Sequence, residues 1–191
     1  MPLKEFANQQ GFRYIEEEGT YNLSYTLRNL PIKKATLEKE EAHYKITIHC
    51  TFLSGTSTSP AVLSGNTSDQ FRYQLHFSFT NTKTPIEFKI SERGFLSTLF
   101  GKPNFKISSK NKRINTFLLE NPRIYALYTE SRQASELSPF IDCKTIGKTT
   151  TLSIHFQAFN SHDSLILDSI HFCHELMNYV TASIEPSHTR Q

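Results

Sequence analysis

The side chains best suited to chemistry gather near the C-terminus, where His171 and His174 flank Cys173, with His162 upstream. Two histidines at i, i+3 on a helix can share a metal, and a thiolate could join them. Zinc needs further ligands, however. On a helix Cys173 points into the apolar arc of Leu165, Ile166, Ile170, Phe172, Leu176, Met177 and Val180, away from His171. His171 falls instead among Asp168 and Glu175, at the i−3 and i+4 spacing of a solvated helix face. The reading is a structural helix, with neither metal nor other cofactor.

Nucleophilic chemistry has two candidates, Cys50 beside His49 and Cys143 beside Asp142. Neighbours along a strand face opposite ways, so His49 is badly placed to act as a base for Cys50, and both thiols read as core residues. No Gly-x-Ser-x-Gly elbow occurs, and Gly94 and Gly101 lack phosphate-loop spacing. Asp69, Asp142, Asp163 and Asp168 are too scattered to form a magnesium site. The glutamate runs at 16–18 and 38–41 stand beside lysines and read as solvated turns. No residue is assigned a catalytic role.

The strongest charge feature is Lys102, Lys106, Lys110, Lys112, Arg113 and Arg123, with Phe100 and Phe105 nearby. Such a patch could grip a polyanion backbone and stack a base. A formal net charge of +3 is small for a dedicated nucleic-acid binder, and the preferred reading is solubilising surface.

The elements that must position these groups are legible as hydrophobic periodicity. From Phe71 to Phe79 every odd position is apolar and every even one polar, which places Phe71, Tyr73, Leu75, Phe77 and Phe79 on one face of a half-buried strand. Tyr44 to Phe52 alternates likewise. Pro2 to Gln10 reads as a short helix ended by Gly11. Phe12 to Glu17 is expected to form a hairpin with Tyr21 to Leu27 across Glu18 and Gly19, followed by a charged connection or exposed strand extension from Lys33 to Glu41. Residues 54–69 read as a mobile loop, and Asn81 to Thr84 as a turn returning Ile86, Phe88 and Ile90 as a hairpin against the Phe71 strand. Phe105 and Ile107 suggest another short strand. Ile114, Phe117 and Leu118 mark a helix from Lys110 to Glu120, and Asn121 and Pro122 cap and begin a second helix through Ile124, Leu127 and Tyr128. Phe140 to Ile146 and Thr150 to Ala158 read as a hairpin turning near Gly147, and a long helix closes the chain over about 161–184.

With 191 residues, 37% hydrophobic composition, 15 Phe and 8 Tyr, the chain can bury one sizeable core and is expected to be a single domain over 1–191. Cys50, Cys143 and Cys173 match neither a zinc ribbon nor a disulfide scaffold and read as cytoplasmic free thiols. The N-terminus has no signal-peptide pattern, and the longest clean aliphatic run, Leu165 to Leu167, is far below the ~20 residues of a bilayer span.

The segment "FGKPNFKISSKNKRINTFLLENPRIYALY", followed by a strand pair and a long closing helix, resembles uncharacterised bacterial α+β domains of unknown function, some of which are attached to membrane segments. The likeness covers most of the chain after Gly11. It implies the fold and a bacterial setting, and carries no catalytic residues.

The expected architecture is α+β, a two-layer fold in which a long, curved antiparallel sheet is covered on one face by helices near 111–130 and 161–184. The leading expectation for function is a non-catalytic binding or assembly module that uses a sheet face or edge, with a protein partner or homodimerisation. The alternative is a carrier or enzyme for a small apolar ligand, with a pocket between the sheet and the closing helix lined by Phe71, Tyr73, Phe77, Phe156 and Phe172.

Overall fold

A computed structural model describes residues 3–23, 28–53, 70–81, 85–93, 104–134, 139–159 and 163–182. In chain order the elements are α1 (Leu3–Gln9), β1 (Arg13–Leu23), β2 (Arg28–Glu40), β3 (Tyr44–Leu53), β4 (Gln70–Thr80), β5 (Glu87–Glu92), β6 (Phe105–Ser109), α2 (Lys112–Glu120), α3 (Pro122–Ala134), β7 (Phe140–Ile146), β8 (Thr149–Phe159) and α4 (Asp163–Ala182). The strands form one eight-stranded sheet in the order β1-β2-β3-β4-β8-β7-β5-β6. Every neighbouring pair is antiparallel. The loop expected over 54–69 lies outside the described residues.

Alternation along the strands sorts the sheet into two unlike faces. Leu37, Ile48, Leu75, Phe77, Ile90, Ile141, Cys143, Leu152 and Ile154 are wholly buried, together with Phe6 of α1, Leu118 of α2 and Leu165, Ile166, Cys173 and Leu176 of α4. These residues belong to one apolar cluster, so the helices cover this face. Each large side chain removed from water here contributes about 1.5–3 kcal/mol before entropy is subtracted. The α+β architecture and the closing helix match expectation. No helix among the described residues is long and apolar enough to cross a membrane.

Local chemistry explains the element boundaries. Asn111 Oδ1 accepts from the backbone N–H groups of Arg113 and Ile114 at 3.0 and 3.3 Å, capping α2. Asn121 Oδ1 does the same for Arg123 at 3.0 Å, with Pro122 in the first turn of α3. Gly11 and Gly147 adopt positive φ of 70° and 60°, the first ending α1 and the second turning β7 into β8.

Three expectations are corrected. β1 does not fold back at Gly19; it runs through to Leu23, and Gly19 pairs with Ile32 inside the ladder to β2. The charged segment from Lys33 to Glu41, expected as a connection or an exposed strand extension, is strand for most of its length and belongs to β2, which lies inside the sheet between β1 and β3. The same fact accounts for both: Glu17 faces Lys34, Glu18 faces Lys33, and Lys33 Nζ lies 3.7 Å from Glu16. Acidic and basic runs that read separately as solvated turns are cross-strand partners. Finally, β5 does not return against β4. Along its whole length β4 pairs with β8, and β5 lies between β7 and β6.

Candidate functional site on the open sheet face

The face turned away from the helices is built from the polar positions of the strands, and register lines these up in rows across the sheet. Thr36, His49, Gln74, His155 and Phe140 form one row through β2, β3, β4, β8 and β7. Thr47, His76, Ser153 and Asp142 form a second, and Thr51, Arg72 and Gln157 a third. Three histidines thus sit on three consecutive strands. The ring centroids of His49 and His76 lie 6.0 Å apart, and those of His76 and His155 lie 6.2 Å apart.

Hydroxyl groups on neighbouring strands orient two of the rings. His49 Nδ1 is 3.2 Å from Thr36 Oγ1, and His76 Nδ1 is 2.9 Å from Ser153 Oγ. Burial holds the His76 pKa below its ordinary value, and the flanking charges of His155 and His49 push the same way. The His76 ring thus sits between those of His49 and His155 with its charged form disfavoured.

Beside this row opens a cavity of about 350 Å³ lined by His49, Thr51, Arg72, Gln74, Phe140, His155 and Gln157 from the open face, and by Tyr73 and Phe156. Tyr73 and Phe156 lie between these residues along β4 and β8, so they contribute the floor. The pleat sends their rings to the helix side, where they stack at 4.9 Å. Phe140 stands half-exposed at the rim, with its ring 6.3 Å from that of His155.

Of the five residues expected to line a pocket beneath α4, the structure brings Tyr73, Phe77, Phe156 and Phe172 into one packed apolar cluster. Phe77 and Phe172 are packed in the core, Tyr73 and Phe156 form the floor of a cavity that opens on the opposite face, and the side chain of Phe71 lies outside the described ones. Arg72, Gln74, His155 and Gln157 carry no candidate role in the sequence because alternation alone assigns them only to the polar side of separate strands. The signal was present as the even positions of the Phe71 strand and the odd positions of the Thr150 strand, and only register joins them.

The basic stretch falls on β6, α2 and α3 and on the segments beside them. Lys106 is exposed on β6, and Lys110, Lys112 and Arg113 are exposed at the start of α2, while Lys102 and Phe100 lie outside the described residues. Phe105 is buried against Tyr125 and Tyr128, with ring centroids 5.0 Å apart in each case, and is not free to stack a base. Arg123 is bound across to α4, with Nη1 2.8 Å from Asp168 Oδ1 and Nε 2.6 Å from Glu175 Oε1. Burial opposes ionisation of Glu175, yet the hydrogen bonds from Arg123 and Asn121 hold its carboxyl below the ordinary value. The polar side of α4, expected to be solvated, is thus partly a docking surface for α3.

His171 is exposed, whereas the His174 ring meets Tyr44 and Phe77 edge-on at 4.6 and 5.3 Å; His162 lies outside the described residues. Among the described residues no group of His, Cys, Asp and Glu is arranged to hold a metal ion. Burial pushes the Cys50 thiol up to about 12, against a hydrogen bond from Tyr73, and drives Cys143 and Cys173 upward as well. All three are protonated, buried thiols at neutral pH. No family model, curated protein or solved structure matches the chain.

Proposed function

We propose that the chain is a non-catalytic binding module that holds a small ligand on the open face of its sheet. The observation that carries this reading is the cavity itself, where polar side chains from β3, β4 and β8 converge beside an exposed ring on β7. Its volume of about 350 Å³ falls in the range of small-molecule sites, and none of the described helices packs over it. A binding role is favoured over catalysis because the thiols are buried and protonated and the His76 ring is held by Ser153. The test is to follow backbone amide resonances during titration with small fragments of varied charge. Shifts clustered at residues 72–74, 140 and 155–157 support the reading, and their absence for every fragment overturns it.

Self-association through a sheet edge is the second reading, favoured by β1, an eleven-residue strand that has β2 on one side only. Mass in solution across a dilution series tests it; a strict monomer at high concentration removes it.

A further inference from the structure

The following rests on the open-face cavity being a ligand site. We propose that its ligand is a small organic anion, a carboxylate or phosphate attached to a flat apolar group.

The cavity is lined by the guanidinium of Arg72, the imidazoles of His49 and His155, the amides of Gln74 and Gln157 and the hydroxyl of Thr51, and, among the described residues, by no carboxylate. The acids on the same face are spent elsewhere: Glu38 lies 3.8 Å from Arg13, and Asp142 lies 3.5 Å from Lys89. Glu17 stands opposite Lys34, and Glu87 opposite Lys144. Among the described residues Arg72 enters no ion pair, so the cavity presents a cation and several hydrogen-bond donors without a counter-charge. A guanidinium offers a planar fork of N–H groups matched to the two oxygens of a carboxylate or phosphate.

Phe140 keeps 41% of its surface exposed at the rim, on the same cross-strand row as His155, Gln74 and His49. A flat ring laid on Phe140 would bury apolar surface on both partners, and its acidic group would reach across β8 toward Arg72 on β4. The pairing of a rim ring with a guanidinium accounts for the lining better than a bare inorganic ion, which would leave Phe140 wet.

Benzoate, benzamide and benzamidine share one ring and differ in charge, and together with phenyl phosphate and inorganic phosphate they form the test. Binding is read from the amide shifts of residues 72–74 and 155–157. The anionic ring compounds are expected to bind about tenfold more tightly than benzamide or benzamidine, and inorganic phosphate more weakly than phenyl phosphate. Arg72→Gln should remove the preference of the anionic ring compounds over benzamide and benzamidine, with the melting temperature unchanged. Phe140→Ala should weaken the ring compounds and spare inorganic phosphate. Equal or tighter binding of benzamidine, or indifference to Arg72→Gln, would overturn the anion assignment while leaving the site in place. Failure of every probe, whatever its charge, to move these resonances would remove the site and the assignment together.

Discussion

His76 Nδ1 lies 2.9 Å from the hydroxyl of Ser153, a residue 77 positions later in the chain. The two strands that carry them are adjacent at the centre of the sheet. Burial lowers the pKa of His76 from 6.5, so between 6.5 and that lowered value the unfolded chain binds more protons than the folded one. Stability from this source is complete above 6.5 and is lost as pH falls through the window. His174, lowered by its own burial and then by His171 and Lys39, acts with the same sign. Urea midpoints measured from pH 8 to pH 5 should fall less steeply in His76→Gln than in the natural chain, and equal slopes would contradict this account.

The three cysteines should be silent toward an aqueous thiol reagent in the folded protein. Cys50, Cys143 and Cys173 are buried, and desolvation disfavours the thiolate at each. Labelling should follow global unfolding, with all three reacting together in denaturant. Rapid reaction of any one under native conditions would place it in a different environment.

Arg123 ties the start of α3 to two carboxylates on α4, and all three side chains keep between 24% and 39% of their surface exposed. Solvent therefore weakens the pairing. Arg123→Ala should cost about 1 kcal/mol, visible as a lower urea midpoint with an unchanged slope. A loss several times larger would mean that the tie supports more of the fold than the two helices.

The two faces of β4 should respond unequally to truncation. Leu75→Ala removes a wholly buried side chain and should cost about 2–5 kcal/mol, whereas Gln74→Ala, its neighbour on the other face, should stay within about 0.5 kcal/mol. Denaturant titration of the two variants side by side checks this.

Which face each strand residue occupies was legible in the sequence from Arg72 to Phe79, and so were the hairpin at Gly147 and the caps at Asn121 and Pro122, because alternation and capping are local. Strand partners were not legible. Turn residues at Asn81 to Thr84 suggested that Ile86 to Ile90 would pair with the strand before it, but eleven residues of β8 occupy that position. Gly19 looked like a turn because glycine permits one, while the matching of Glu17 to Lys34 and Glu18 to Lys33, which keeps β1 extended past it, depends on residues fifteen or more positions away. The cavity was hidden for the same reason. Arg72, His155 and Phe140 become neighbours only when β8 lies between β4 and β7.

The central claim is that binding occurs on the open face while the aromatic core beneath α4 stays closed. It is tested most directly by the rate at which Gln74→Cys reacts with a maleimide, with and without saturating phenyl phosphate, and with Ser78→Cys, further along the same strand face, as the control. The account predicts that both introduced thiols react while the three natural ones do not, and that phenyl phosphate slows Gln74→Cys alone. A Gln74→Cys thiol as unreactive as Cys173, or one that phenyl phosphate fails to protect, would contradict it.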